Sequence, residues 1–266
     1  MDFGVIIIGD EILSGRRADK HLSKVIELLS ARGLSLSWAR YVGDDPDLIE
    51  RELKAALAGP EIVFSFGGIG ATPDDHTRAC AAAASGRPLV LHPQAAELIL
   101  ARSREMAEAE GKPFNPGDAD IQRRLDMGRF PQGAAIIPNP YNRIPGFSMD
   151  RHVHFVPGFP VMAWPMVEWV LDHWHADGRL AGAPMQEKSV IVLDGLESRL
   201  TPLMQEIEAQ CPGIKVFSLP SVDHPEYGRH IDLGVKGAPD LVDPAFELLL
   251  AGLKQLGASL GPILVR

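Results

Sequence analysis

The stretch FSFGGIGATPDDHTRA, Phe64–Ala79, places three glycines after an apolar run and two adjacent carboxylates shortly after the glycines. The preceding run EIVFSF is typical of a short buried strand, and HTRACAAAASG is typical of a helix built from small residues. Glycines let a backbone approach a ligand closely, and the N–H groups at the start of a helix favour anions. The stretch therefore predicts a phosphate-binding loop, with Gly67, Gly68, Gly70 and Thr72 as its ligands.

The carboxylates Asp74 and Asp75 would repel a phosphate in that loop unless a divalent cation lay between them. This predicts that Asp74 and Asp75 bind a metal ion such as Mg²⁺, Mn²⁺ or Co²⁺. The alternative is that one of them caps the following helix and the other is a favourable acid in its first turn. The residues alone leave both possibilities open.

Strands and helices alternate along the chain on both sides of this loop. FGVIII predicts a buried strand, KHLSKVIELLSAR a helix, LSLSWARYV a strand and PDLIERELKAALA a second helix. This alternation indicates an α/β domain with a doubly wound, mainly parallel sheet, which we assign to residues 1–175. The Gly- and Pro-rich stretch 176–186 predicts a linker, and residues 186–258 predict a small α+β domain.

The segment GDEILSGRR follows the first predicted strand, so it is expected at the same sheet edge as the glycine loop. Asp10 and Glu11 are candidate metal ligands, or one of them is a general base. Residues that can hold a phosphate or carboxylate are Gly9, Ser14, Gly15 and Arg16. An ordinary polar turn explains the same segment equally well.

Three further loops are candidates for the pocket wall. In VGDDPD, Asp45 is expected to cap the helix that begins at Pro46, which leaves Asp44 free to face the cleft. The rigid loops NPYNRIPGF and VPGFP are either pocket walls or simple turns. Their candidate ligand contacts are Pro145, Gly146, Pro157 and Gly158.

Composition excludes several classes of function. With 26 Lys and Arg against 35 Asp and Glu, the net charge is −9, and no basic stripe predicts nucleic-acid binding. The two isolated cysteines, Cys80 and Cys211, fit neither a zinc motif nor a disulfide framework, which favours a cytoplasmic protein. The apolar run at the start is too short for a signal peptide or membrane span.

His152 and His154 are expected on a solvent-exposed strand face.

Taken together, GDEILSGR, VGDD, GGIGATPDDHT, PGF and VPGFP resemble the molybdopterin-binding domain of the CinA (competence/damage-inducible protein A) family, which is related to MogA and MoaB. The resemblance covers roughly residues 3–172. The C-terminal part is similar to the KH-like domain of CinA proteins. Full-length members continue into a nicotinamide-mononucleotide amidohydrolase domain, before which this chain stops, so that activity is not expected.

The resemblance implies a three-layer fold, assembly into homodimers or homotrimers, and a small-molecule nucleotide or pterin as ligand. It implies metal-dependent hydrolysis of nucleotide pyrophosphates such as ADP-ribose or FAD. The alternatives are a molybdopterin or nucleotide binder without turnover and a molybdopterin adenylyltransferase. Asp44 and Asp75 match the family's catalytic or metal-binding aspartates, and the glycine loop matches its phosphate-holding loop.

Two positions depart from the family pattern. Ala71 stands where proline is usual, which changes the stiffness of the loop. Asn142–Ile144 replaces small residues before Pro145, so we expect a narrower pocket or an altered substrate.

Overall fold

The computed structural model describes residues 2–175 and 185–265. The chain divides into two compact units, Met1–Leu180 and Ala181–Arg266. Nearly all of the linker predicted at 176–186 lies outside the described residues.

The helices and strands of the first unit alternate largely as the sequence predicts up to residue 109, whereas four strands follow one another between residues 129 and 156. In chain order they are β1 (Phe3–Ile8), α1 (Asp10–Leu13), α2 (His21–Ser30), β2 (Leu36–Val42), α3 (Pro46–Ala58), β3 (Ile62–Phe66), α4 (Thr77–Ser85), β4 (Leu89–Leu91), α5 (Pro93–Ala109), α6 (Ala119–Asp126), β5 (Arg129–Pro131), β6 (Ala135–Ile137), β7 (Gly146–Met149), β8 (Val153–Val156) and α7 (Pro160–Trp174).

Six of these strands form one sheet in the order β2-β1-β3-β8-β7-β6. The pairs β1–β2, β1–β3 and β3–β8 are parallel, whereas β7 pairs antiparallel with both β8 and β6. The predicted doubly wound, mainly parallel sheet is therefore confirmed. The short strands β4 and β5 pair separately.

The central strand β1 is buried on both faces, which is why its sequence FGVIII is continuously apolar. Val5 and Ile7 pack in one core with α2 and α7, while Ile6 and Ile8 pack in another with α3 and α4. Helices thus cover both faces of the sheet, and this arrangement gives the three layers that the family resemblance implies.

The second unit is an antiparallel sheet with two helices. Its elements are β9 (Gln186–Leu193), α8 (Glu197–Gln210), β10 (Lys215–His224), β11 (Gly228–Gly237), α9 (Pro239–Gln255) and β12 (Ser259–Val265). The sheet order is β10-β11-β9-β12, and residues of α8 and α9 complete its core. The α+β class is confirmed.

Two sequence-based predictions need correction. The end of the small domain at residue 258 is too early, because β12 pairs with β9 at the edge of its sheet. The predicted exposure of His154 is wrong: the side chain is fully buried beneath α7, and its Nε2 lies 3.2 Å from His175 Nε2. Burial lowers the pKa of His154 well below its ordinary value.

Within the described ranges, no helix combines the length and apolarity that crossing a bilayer requires.

Candidate functional site

A cleft of about 400 Å³ lies at the carboxyl ends of the parallel strands. This is the edge at which doubly wound sheets usually bind ligands. The predicted site residues that line the cleft are Gly9, Glu11, Asp44, Gly67, Gly68, Gly70, Thr72, Asp74, Asp75, Pro145, Pro157 and Gly158. Five predicted residues do not line it, namely Asp10, Ser14, Gly15, Arg16 and Gly146.

Gly146 belongs to the core because it begins β7, a strand that we did not predict in the loop NPYNRIPGF. A Cβ at this position would lie 2.4 Å from the Phe155 carbonyl oxygen on β8. The glycine therefore allows two strands to approach each other, and this geometry does not support its predicted contact with a ligand.

The glycine loop depends on two left-handed residues. Gly67 has φ 96° and Gly68 has φ 67°. A Cβ would lie 2.4 Å from the Ile8 carbonyl oxygen at Gly67 and 2.1 Å from Thr77 Oγ1 at Gly68. Only glycine lets the loop lie this close to both β1 and the start of α4.

The loop holds its shape with some of its N–H groups and leaves others unused. Gly67 N–H donates to the Val156 carbonyl (3.1 Å), which fixes the loop to β8. Among the hydrogen bonds of the described residues, none uses the N–H groups of Gly68, Ile69 or Ala71. Consecutive unpaired N–H groups in a glycine turn are suited to binding an anion.

Asp75 braces this loop. Its Oδ1 accepts from Gly70 N–H (2.9 Å), and its Oδ2 accepts from Thr72 N–H (2.8 Å) and Thr72 Oγ1 (2.5 Å). Both carboxylate oxygens are thus engaged by the loop itself. Asp75 therefore holds the loop in shape, and its predicted catalytic or metal-binding role stays a prediction.

Asp44 and Asp10 connect the ends of the first two strands. Asp10 N–H donates to Asp44 Oδ2 (2.9 Å), and Asp44 N–H donates to Asp10 Oδ1 (3.2 Å). Asp45 caps α3 by accepting from Asp47 N–H (2.9 Å) and Leu48 N–H (3.2 Å), as predicted. Asp44 is thereby held at the rim of the cleft and not in the helix cap.

The pKa of Asp44 is raised above its ordinary value. Partial burial is the largest cause, and the negative charges of Asp10, Glu11 and Asp74 add to it. The hydrogen bond from Asp10 N–H opposes the increase. A carboxylate whose pKa is raised in this way is a stronger proton acceptor than an ordinary surface aspartate.

The predicted metal ligands do not form a complete protein site. Within residues 2–175 and 185–265, no group of three or more His, Cys, Asp or Glu side chains is arranged to hold a metal ion. Two of the four predicted ligands are engaged elsewhere: Asp75 braces the glycine loop, and Asp10 Oδ1 bonds to Asp44 N–H. Glu11 and Asp74 also line the cleft. In contrast to Asp75 and Asp10, their side chains accept no hydrogen bond from the backbone N–H groups of the glycine loop or of Asp44 among the described residues.

Arg17 lines the cleft, although the sequence pattern pointed to Arg16. The turn after α1 closes with a hydrogen bond from Arg17 N–H to the Glu11 carbonyl (2.9 Å). The guanidinium lies 3.7 Å from Glu11 Oε1 and 5.7 Å from the centre of the Phe159 ring. A periodicity argument misses this, because α1 has only four residues and the chain turns immediately after it.

Part of the cleft lining is apolar, and two of its four side chains lie in the loops that the sequence marked as possible pocket walls. Its side chains are Met127, Ile144, Phe159 and Met162. Phe159 is 53% exposed, an unusual exposure for a phenylalanine and one that suits contact with a flat ring.

The departure at Asn142–Ile144 forms an ordered turn. Asn142 Oδ1 accepts from Ile144 N–H (3.0 Å) and Asn139 Nδ2 (2.8 Å), while Arg143 takes a left-handed φ of 64°. Asn142 and Ile144 both line the cleft. The larger side chains therefore form part of the cleft wall, and the narrower pocket or altered substrate stays a prediction.

Comparison with known proteins assigns the first unit. Residues 4–176 match the family model described as a probable molybdopterin binding domain. The chain belongs to this family.

Several relatives of this molybdopterin-binding domain protein are described as CinA-like proteins. The CinA-like protein of Syntrophotalea carbinolica is 30% identical over 216 residues, which cover 80% of this chain and 49% of that protein. A protein of Pyrobaculum calidifontis is 27% identical over 259 residues, covering 94% and 95% of the two chains. This chain thus spans about half the length of the CinA-like relative.

Among solved structures, CinA from Thermoplasma acidophilum, described as a protein of unknown function, is 27% identical with a TM-score of 0.52. The match covers 63% of this chain and 95% of that one. These comparisons confirm the predicted family and fold, and they identify a molybdopterin-binding-like CinA domain.

Proposed function

We propose that the cleft binds an adenine nucleotide through its phosphates and hydrolyses its pyrophosphate bond, with ADP-ribose as the first candidate substrate. The observation that carries the proposal is the convergence of two features on one cleft. Asp44, whose pKa is raised, and the glycine loop with its unused N–H groups both line it.

The glycine loop supports binding of the phosphates. The N–H groups of Gly68, Ile69 and Ala71 are available within the described structure, and the loop is held rigid by Asp75. Preorganised N–H donors stabilise charge that develops on phosphate oxygens during displacement at phosphorus.

The apolar wall supports binding of a flat ring. Phe159 offers an exposed aromatic face, and Met162 and Met127 offer adaptable thioethers. The cavity volume of about 400 Å³ is within the range of small-molecule sites. An adenine ring and a pterin ring both meet these requirements, which is consistent with the family to which the chain belongs.

In the proposed reaction, a water oxygen attacks one phosphorus of the pyrophosphate and the bridging P–O bond breaks. Asp44 accepts the proton that the water loses, and the leaving phosphate carries away the bonding electron pair. The products from ADP-ribose are AMP and ribose 5-phosphate. The loop N–H groups and Arg17 offset the charge of the phosphates.

A divalent cation belongs to this proposal through the family resemblance. Mg²⁺ is commonly held by one or two carboxylates together with substrate phosphates, so a complete protein cage is not needed. The cleft offers Glu11 and Asp74 for that purpose. When bound there, the cation would neutralise phosphate charge. It would also offset the smaller part of the increase in the Asp44 pKa that comes from the neighbouring carboxylates, whereas burial, the largest cause, would remain.

A second candidate is binding of a molybdopterin-type ligand without turnover. The observation that favours it is that Asn142 and Ile144, which stand where the family pattern has small residues, line the cleft.

Calorimetric titration and product analysis on the same samples separate these candidates. ADP-ribose, FAD and a pterin phosphate are each added with Mg²⁺, Mn²⁺, Co²⁺ or EDTA, and AMP is quantified by chromatography. Hydrolysis predicts AMP release from ADP-ribose. Heat of binding without AMP from any ligand contradicts the hydrolase and supports the binding protein.

A further inference from the structure

A second cavity, of about 280 Å³, adjoins the cleft. Asn142 and Ile144 line both cavities, so the turn that departs from the family pattern forms the wall between them. The remaining lining residues come from α5 and α6, namely Ile99, Arg102, Ser103, Met106 and Arg124.

This side cavity is basic. Arg102 and Arg124 line it, and no carboxylate is among the lining residues that the structure describes. Arg102 Nη1 lies 3.6 Å from Glu105 Oε2, which makes a long ion pair. Arg124 donates to the thioether of Met106 (3.3 Å), which is a weak acceptor. Both guanidinium groups therefore retain donors for an anion.

Two neutral polar side chains add to the arginines. Ser103 is 3% exposed, and within the described residues its hydroxyl has no hydrogen-bond partner. Asn142 Nδ2 donates to Met162 Sδ (3.5 Å), again a weak acceptor, besides its role in the wall. A buried hydroxyl without a partner is destabilising unless a ligand or water satisfies it.

We propose that this side cavity is a phosphate-binding subsite next to the main cleft. Two arginines, a serine hydroxyl and an asparagine amide are the donors that a phosphate monoester needs, and arginine binds phosphate oxygens in a bidentate manner. The phosphate is either a second phosphate group of the cleft ligand or a free phosphate. The first source rests on the proposed function, whereas the subsite itself does not.

The test is calorimetry without divalent metal, at fixed ionic strength, so that no turnover occurs. The ligands are inorganic phosphate, ADP-ribose and ADP-ribose 2′-phosphate. The test variant is R102Q/R124Q. The matched control is R104Q/R123Q, which removes the same charges from the same two helices at residues that do not line the cavity.

We expect phosphate affinity to fall about tenfold or more in R102Q/R124Q and to stay unchanged in the control. Any remaining binding is assigned to the glycine loop. Tighter binding of ADP-ribose 2′-phosphate than of ADP-ribose identifies the cleft ligand as the source, whereas equal affinities identify free phosphate. Unchanged phosphate affinity in R102Q/R124Q, or an equal loss in both double variants, would overturn the proposal.

Ser103→Ala provides a variant that retains both charges and the helix. Because its hydroxyl has no partner among residues 2–175 and 185–265, we expect phosphate binding to weaken while the melting temperature stays equal or rises. A lower melting temperature with unchanged phosphate binding would assign the hydroxyl to folding and contradict its role in the subsite. AMP release from ADP-ribose is measured separately, so failure of the hydrolase proposal leaves this result interpretable.

Discussion

At the scale of single residues, the proposed hydrolysis depends on Asp44. It lies among three other carboxylates, and burial together with their charges raises its pKa. The sequence predicted that Asp44 is free of the helix cap, because Asp45 precedes Pro46. The pKa change was not predictable, since it depends on how closely β1 and β2 bring their ends together.

The pH dependence of hydrolysis follows from this pKa. Asp44 accepts a proton only when it is ionised. Because its pKa is raised, the increase of kcat/KM with pH should occur at a higher pH than it would with an ordinary aspartate. Glu11→Gln removes one neighbouring negative charge and should move this rise to lower pH. A pH–rate profile that is identical in Glu11→Gln and the natural protein would contradict the assignment.

The contribution of Asp44 to the free energy of unfolding should fall as pH rises, whereas kcat/KM should increase. A raised pKa means that the folded state holds this proton more tightly, so the stabilising effect is present at low pH and disappears as pH rises through the folded-state pKa. At pH 8, Asp44→Asn should therefore raise the free energy of unfolding, by about 1 kcal/mol or less for a partly exposed group. Thermal denaturation at pH 8 and pH 4 measures this, and a larger gain at pH 4 would contradict it.

Asp75 supports the loop in this account. Asp75→Asn should lose the acceptor for Thr72, destabilise the first unit by about 1–3 kcal/mol and raise KM more than it lowers kcat. Steady-state kinetics and thermal denaturation decide between the two roles. A fall of about a hundredfold or more in kcat with unchanged KM and stability would restore the catalytic role predicted from the sequence.

At the scale of elements, the glycine loop depends on its left-handed backbone and its close contacts. Gly68→Ala places a Cβ against Thr77 and should destabilise the first unit by about 2 kcal/mol while weakening phosphate binding. Gly15→Ala is the matched control: Gly15 also has a positive φ (72°), but a Cβ there meets nothing within 4 Å. Equal effects of the two substitutions would show that close contact at Gly68 is unimportant.

The sequence predicted well those elements that have a strong apolar pattern or clear boundary residues. The buried run of β1 and the Asp45–Pro46 start of α3 are clear examples. β7 was missed because GFSM follows a Pro-rich turn, and β12 because SLGPILV contains a glycine and a proline. Both strands are set by pairing with other parts of the chain, β7 with β8 and β6 and β12 with β9, which is a tertiary effect.

At the scale of the whole molecule, the sequence motifs predicted the sheet edge that carries the cleft, since strand ends of a parallel sheet meet there. The motif VPGFP indicated a pocket wall at Phe159, whereas the contribution of Met162 was not predictable because it lies outside the motif, in the first turn of α7. Arg17 was missed for a similar reason, since the direction of its side chain depends on one short turn.

The assembly of the molecule stays a prediction. The resemblance implies a homodimer or homotrimer, and light scattering coupled to gel filtration gives the mass directly. A mass of two or three chains of 28.9 kDa is expected. A single-chain mass at all concentrations would contradict it.

The most direct test of the account is AMP release from ADP-ribose by three proteins: the natural chain, Asp44→Asn and Asp47→Asn. Asp47 is an exposed acid in the same segment that does not line the cleft, so its substitution controls for the loss of one negative charge. We predict metal-stimulated release by the natural chain and by Asp47→Asn, and a loss of about a hundredfold or more in Asp44→Asn. Full activity of Asp44→Asn, or no release by the natural chain under any metal condition, would contradict the proposed function.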